Sequence, residues 1–198
     1  MNTKGFTLIE LLIVIAIVAI LSVVVILTLN PAELLKQTRD SNRISDMSTL
    51  KSALSLYLAD VTSPSLAGDY TKCYYSVTST AGATPGCGGW FSTGYLGSNN
   101  VSGTTSSTPR NVDGRGWLPV NFTSISSGAP VGNLPVDPVN SPTYYYAYAA
   151  SGTNLTFEID AKMESTKYSL GGGSDVGSTD GGSSSSLYEV GTVGGLVL

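Results

Sequence analysis

The 198-residue chain contains no histidine and only two cysteines. Without imidazole, neither a Ser-His-Asp triad, a Cys-His pair nor a histidine metal ligand can form, and two cysteines cannot build a four-thiolate zinc site. These absences exclude most familiar hydrolase and zinc chemistry. We therefore predict that the chain is not an enzyme.

Glycine and proline are almost missing from residues 1–60, where Gly5 and Pro31 are the only ones, while 22 glycines and 8 prolines follow. Residues 1–60 carry five basic and five acidic side chains, and residues 61–198 carry five basic and nine acidic ones, which gives the net charge of −4. An acidic C-terminal part repels phosphate, so no nucleic-acid partner is predicted. The chain divides near residue 60 into a helix-compatible part and a loop-rich part.

Nineteen residues without a charge run from Leu11 to Leu29, interrupted only by Ser22 and Thr28. As a helix they cover roughly 28 Å, about the thickness of a bilayer core. No small-residue cleavage site follows, so we predict a retained membrane span. Glu10 directly precedes the run, and a carboxylate there is a functional candidate unless it lies at headgroup depth.

The eleven residues from Lys4 to Val14, KGFTLIELLIV, resemble the class III signal of type IV prepilins and pseudopilins. That signal is a short basic leader ending in glycine, then phenylalanine, then glutamate at the fifth mature position. The resemblance implies that a prepilin peptidase removes residues 1–5 by cutting between Gly5 and Phe6, and methylates the new Phe6 amine. It also implies that Phe6 and Glu10 guide assembly of the helix over residues 6–29.

Residues 30–60 are predicted to continue the helix in amphipathic form, since six apolar residues share one face and charged residues such as Arg43 mostly point elsewhere. The six are Ile44, Met47, Leu50, Leu54, Tyr57 and Leu58. Pro31 lacks a backbone donor and should kink or locally open the helix, which otherwise spans residues 6–60. The segment 30–43 resembles pilins of Gram-positive-type lineages.

Residues 61–198 are predicted to form an exported globular head with a Ser/Gly-rich tail from about residue 171. Residues 61–142 show no sustained period and favour a long irregular connection laid over a core. Leu155 to Met163 alternates strictly and predicts a strand, whose other face, with Glu158, Asp160 and Glu164, should meet solvent.

A hairpin turn at 151–154 would join this strand to the tyrosine-rich run 143–149, and a third strand is expected at 168–170 or 187–190. The predicted fold class is therefore α+β, a long helix packed on a small antiparallel sheet. The segment Leu134 to Pro138, LPVDP, resembles the Leu-Pro-x-Asp-Pro segment of major pseudopilins of type II secretion and of many Gram-positive pilins.

Two further sites concern the head. In an exported domain, Cys73 and Cys87 most simply form one disulfide, with free thiols as the alternative. The tail around Asp175 and Asp180 could wrap a calcium ion, but it lacks the spacing of an EF-hand loop, and a flexible linker is favoured. No cofactor is otherwise predicted.

These observations favour a structural role, a prepilin that polymerises into a type IV pilus-like filament. The resemblance implies four partners: identical subunits, the prepilin peptidase, an inner-membrane assembly platform and the membrane. It implies a single-pass protein of the cytoplasmic membrane before assembly and a cell-surface or periplasmic filament afterwards. The alternatives are a major pseudopilin of type II secretion and, more remotely, a membrane-anchored binding module.

Overall fold

The computed structural model describes residues 5–67, 73–77, 90–91 and 110–192. Two consecutive helices, α1 (Leu8–Leu29) and α2 (Pro31–Asp60), precede an antiparallel sheet. Its strands, in spatial order, are β1 (Cys73–Tyr75), β2 (Tyr146–Ser151), β3 (Thr156–Ala161) and β4 (Tyr188–Gly191), and a 3-10 helix lies at Phe122–Ser124. The predicted α+β class is confirmed.

Helix α2 packs one face on the sheet through an apolar stripe close to the predicted one. The buried apolar residues of the stripe are Met47, Leu50, Ala53, Leu54 and Tyr57. They share a core with alternate residues of β2 and β3, namely Tyr146, Tyr148, Ala150, Phe157, Ile159 and Ala161. Trp117 and Phe122, from the irregular connection, fill the same core.

Strands β2 and β3 form the predicted hairpin, with a register that runs from Tyr146 opposite Ala161 to Ser151 opposite Thr156. The predicted strand was too long, because Leu155 adopts a left-handed conformation (φ 54°) in the turn and is 36% exposed. Strand β4 lies at the second of the two positions considered for a third strand. Strand β1 was not predicted, since three residues are too few for a periodic signal.

The prediction that Glu158 and Asp160 face solvent was wrong. Both side chains are fully buried on the face of the sheet that points away from α2. A second apolar cluster lies on this face and includes Tyr75, Phe91 and Tyr145, with Trp90 packed against it. The alternation of side chains along the strand was predicted correctly, but the face expected to meet solvent is covered by this second apolar cluster.

Candidate functional site

The predicted cleavage junction lies at an exposed end of the described chain. Phe6 is 84% exposed, and a side chain at Gly5 would meet no atom within 4 Å. Helix α1 begins two residues after Phe6. The peptide bond between Gly5 and Phe6 therefore precedes the helix and lies between exposed residues.

Glu10 forms a capping box with Thr7 at the start of α1. The Thr7 amide and hydroxyl donate to Glu10 Oε2 at 2.9 and 2.7 Å, and the Glu10 amide donates to Thr7 Oγ1 at 3.3 Å. Sequence reasoning missed this role of Thr7, although T-x-x-E before an apolar run is a known signature of a helix start. Both bonds that Thr7 donates end on Glu10 Oε2. The other carboxylate oxygen, Oε1, accepts no hydrogen bond among the described residues.

Helix α1 presents apolar side chains to its surroundings on all sides. Residues Leu8–Ile26 have a mean hydropathy of 3.3, none of them is buried, and this is the one helix among the described residues long and apolar enough to cross a membrane. Ser22 and Thr28 donate to the carbonyls of Val18 and Val24, so these two hydroxyls need no external partner. Glu10 is the one charged residue of α1.

The helical part is interrupted at Asn30, immediately before Pro31. Asn30 adopts a left-handed conformation (φ 41°), which ends α1, and Pro31 lies in the first turn of α2, where its missing donor costs nothing. The helix expected over 6–60 with a kink or local opening at Pro31 is thus divided into two helices at Asn30. Asparagine tolerates positive φ better than most residues, and this explains why the break falls at Asn30.

Arg43 lies at the centre of a buried ionic cluster that joins α2 to the head, which corrects the prediction that it points away from the packed face. Its guanidinium donates to Asp40 Oδ1 at 2.7 Å, to both oxygens of Asp137 at 2.6 and 2.9 Å, and to Glu164 Oε1 at 2.9 Å. It also lies 5.2 Å from the ring centre of Tyr144. Arg43, Asp40 and Asp137 are all at most 2% exposed.

The electrostatics of this Arg43 cluster favour its charged form. Burial disfavours the guanidinium charge, but bonds and charges from Asp137, Glu164 and Asp40 outweigh burial and raise the pKa of Arg43 above its ordinary value. Burial likewise acts to raise the pKa of Glu164, and the bonds from Arg39 and Arg43 reverse this and lower it. Asp40 additionally accepts the backbone amides of Glu164 and Ser165.

A second group of acids lies on the opposite face of the sheet. One carboxylate oxygen each from Glu158, Asp160 and Glu189 lie within 4.8 Å of one another, and all three residues are buried. Burial, together with the charges of Glu158 and Glu189, raises the pKa of Asp160 well above its ordinary value. We call these three residues the carboxylate triad; they are the candidate metal ligands that the structure brings together.

The two calcium candidates of the tail lie in hydrogen-bonded turns. Asp175 accepts from the Gly171 and Ser178 amides at 2.7 and 3.1 Å, and Asp180 accepts from the Gly182 and Glu189 amides at 2.9 and 2.7 Å. The carboxylate oxygens of Asp175 and Asp180 thus already accept hydrogen bonds from backbone amides of the fold. The tail is a folded loop that leads into β4, and not the flexible linker expected.

The predicted disulfide involves one described cysteine. Cys73 is buried on β1, opposite Ala149. Cys87 lies outside the described residues, so the pairing stays a prediction.

Comparison with known proteins gives one match. Residues 1–26 match the family model described as the prokaryotic N-terminal methylation motif. Neither a curated protein nor a solved structure matches the chain. The matched segment contains Gly5, Phe6 and Glu10 and most of the exposed apolar helix. The chain thus carries an N-terminal methylation motif of the kind found in type IV pilin-like and pseudopilin precursors, and the motif leads into a helix long and apolar enough to cross a membrane.

Proposed function

We propose that the protein is the structural subunit of a type IV pilus-like filament, which polymerises through α1 after cleavage behind Gly5. The observation that carries the proposal is the state of α1, an exposed apolar helix with Glu10 as its one charged residue, ahead of a folded head. Such a helix needs either lipid or other copies of itself around it. A bundle of α1 helices provides this cover in a filament.

Cleavage supplies a partner for Glu10. The new Phe6 ammonium of one subunit can meet the Glu10 carboxylate of its neighbour when α1 leaves the bilayer for the bundle. Oxygen Oε2 already accepts the Thr7 donors, so Oε1 is the atom available to the ammonium. A carboxylate at the centre of a bilayer costs roughly 2.5–3.5 kcal/mol, and a paired one fixes the register of docking.

The test is Glu10→Gln in the full chain. Because the glutamine carbonyl can still accept the Thr7 amide, the variant keeps the cap and removes only the charge. We expect normal cleavage at Gly5 and normal membrane insertion, but at least about tenfold fewer filaments, which corresponds to about 1.4 kcal/mol per docked subunit. Mass spectrometry of the N-terminus, membrane fractionation and quantification of sheared filaments measure the three steps.

The matched control is Glu33→Gln, the same change at the start of α2, where the carboxylate contacts Thr166 of the head. This variant should assemble like the wild type. Filament yields that are equal in the Glu10 and Glu33 variants would contradict the mechanism. An unprocessed Met1 start in the wild-type protein would instead support a membrane-anchored binding module.

A pseudopilin of type II secretion is the second candidate, favoured by the Leu134 to Pro138 segment. Asp137 of that segment is buried against Arg43, so the segment helps attach the head to α2. Deletion of the gene distinguishes the two machines. Loss of exoprotein export would favour the pseudopilin, whereas filaments outside cells at native expression would favour the pilus.

Assembly in either machine would use the prepilin peptidase and an inner-membrane platform. The subunit would begin as a single-pass protein of the cytoplasmic membrane and end in a cell-surface or periplasmic filament. The proposed disulfide between Cys73 and Cys87 fits such an exported head. Mass spectrometry of a non-reduced digest tests the pairing.

A further inference from the structure

The head meets α2 about one helical turn after α1 ends. The amide and the hydroxyl of Thr166 donate to Glu33 Oε1 at 2.6 and 2.7 Å. Glu33 follows Leu29, the last residue of α1, by four positions, which is roughly 6 Å along a helix. The headgroup layer extends roughly 5–8 Å beyond each side of the hydrocarbon core. With α1 in a bilayer, the loop around Thr166 therefore lies at the depth of the lipid headgroups.

Three exposed leucines lie in the two segments that meet there. Leu34 and Leu35 directly follow Glu33 in the first turns of α2, and they are 48% and 60% exposed. Leu170 lies four residues after Thr166 in the loop of the head and is 61% exposed. A membrane surface can accept such side chains, because acyl chains lie directly beneath its polar groups. The apolar surface of α1 thus continues into the first turns of α2 and the neighbouring loop.

The exposed charges of these two segments are basic. The side chains of Lys36 and Arg39 are 44% and 33% exposed, whereas those of their acidic partners Glu33 and Glu164 are 16% and 5% exposed. Lys167 is exposed in the loop and takes part in no ion pair among the described residues. The end of the head nearest α1 therefore presents positive charge, although the whole chain carries a net charge of −4.

We propose that this end of the head binds the anionic phospholipid headgroups of the bilayer in which α1 lies. The residues that form this basal surface are Leu34, Leu35, Lys36, Lys167 and Leu170. Two observations select lipid as the occupant: the surface is continuous with the apolar helix α1, and its lysines complement phosphate. Lysine stems can lie along apolar groups while their ammonium groups reach the headgroups. The inference rests on the proposed insertion of α1 in the membrane and does not require polymerisation.

The attraction would act on the basal surface alone. At physiological ionic strength, the potential of a charged membrane decays over a distance of about 8 Å. Lys51, an exposed lysine of the same helix, lies fifteen residues after Lys36, roughly 22 Å farther along α2. This distance exceeds two decay lengths, so Lys51 is the matched control for the lysines of the basal surface.

The test is lysine acetylation in the full chain, reconstituted at one chain per nanodisc. Discs of anionic phosphatidylglycerol are compared with discs of phosphatidylcholine, which carry no net charge, and mass spectrometry of a digest gives the acetylation rate of each lysine. Binding to headgroups shields a lysine and favours its charged, unreactive form. We expect rates about fivefold lower for Lys36 and Lys167 in phosphatidylglycerol, an unchanged rate for Lys51, and loss of most of the difference in about 1 M NaCl.

Equal rates for Lys36 and Lys167 in the two kinds of disc would overturn the proposal. A reduction of the same size at Lys51 would also overturn it, because the lipid would then act on the reagent and not on one surface. Protection that is absent at one chain per disc and grows with the number of chains would assign the surface to a second copy of the chain instead. A chain that fails to co-purify with either disc would contradict the insertion of α1, and this inference with it.

The variants Lys167→Gln and Lys51→Gln make the same change at two exposed lysines. If the loop and α2 bind lipid as one surface, the loss of Lys167 weakens the attraction that holds Lys36 near the headgroups. The lipid-dependent difference in the Lys36 rate should then shrink at least about twofold in Lys167→Gln and stay unchanged in Lys51→Gln. Equal results from the two variants would show that Lys36 is shielded by its own position on α2, and would contradict a shared surface.

Discussion

Two groups of three carboxylates lie at different places around the same sheet, and their electrostatic surroundings differ. In the Arg43 cluster, Asp40, Asp137 and Glu164 meet a buried arginine, with Arg39 at the rim. In the carboxylate triad, burial and the charges of Glu158 and Glu189 raise the pKa of Asp160. The first group keeps its carboxylates beside a buried arginine, whereas in the second the charged form of Asp160 is disfavoured.

This difference separates two structural tasks. The Arg43 cluster joins helix α2 to segments about a hundred residues away, and it contributes wherever the protein is folded. The triad gathers three acids on strands β3 and β4, where burial disfavours the charged form of Asp160. The first group thus attaches the head to the helix, while the second belongs to the sheet alone.

The largest expected effect is the removal of the cation from the complete cluster. Arg43→Met leaves the buried Asp40 and Asp137 without their arginine and Glu164 with Arg39 alone, and it should cost about 3–5 kcal/mol of the free energy of unfolding. Chemical denaturation of the full chain in detergent, followed by the fluorescence of the buried Trp117, measures this loss.

The matched control for this change is Arg115→Met, which breaks the surface pair between Arg115 and Asp113. Exposed pairs contribute little, so this variant should unfold almost like the wild type. Similar losses in the two arginine variants would contradict the central role of Arg43.

The next prediction applies one substitution to both groups. Asp137→Asn should cost about 2–3 kcal/mol, because one acceptor facing Arg43 becomes an amide donor. Asp160→Asn should cost nothing or stabilise by up to about 1 kcal/mol, because it removes a buried acid and its amide can donate to Glu158 or Glu189. Urea denaturation of the two variants checks the contrast, and equal losses would contradict it.

Much of the fold followed from local patterns. The spacing of Met47, Leu50 and Leu54 predicted the packed stripe of α2, and the turn at 151–154 predicted the hairpin. The N-terminal motif was also readable, since Gly5, Phe6 and Glu10 lie within one short segment that the family model matches. In each case the relevant interactions join residues that are close in the sequence.

The two carboxylate groups were not predictable in this way. Arg43 pairs with Asp137 and Glu164, which lie 94 and 121 positions later in the sequence. No periodic pattern on α2 distinguishes an arginine that is paired in the core from one that meets solvent. Alternation on β3 shows that Glu158 and Asp160 share a face, but whether that face is wet depends on what packs over it. Here the second apolar cluster, with residues such as Phe91, lies on that face.

The smallest effect concerns pH and the rim of the Arg43 cluster. The pKa of Glu164 is lowered from its ordinary value of 4.5 by its arginine partners. A carboxyl whose pKa is lower in the folded than in the unfolded state stabilises the fold above its ordinary pKa, and the gain is lost as the pH falls through the lowered value. Glu164→Gln should therefore be less stable than wild type at about pH 7 and equally stable at about pH 2–3.

Urea denaturation of wild type and Glu164→Gln at both pH values isolates this contribution, because every other titrating group is common to the two proteins. Lys162 lies two residues before Glu164 and forms no ion pair with it, so Lys162→Gln offers a control that should leave the pH dependence unchanged. A difference between wild type and the Glu164 variant that persists undiminished at the lower pH would mean that Glu164 acts through packing. The ionic contribution of the Arg43 cluster would then rest on Asp40 and Asp137 alone.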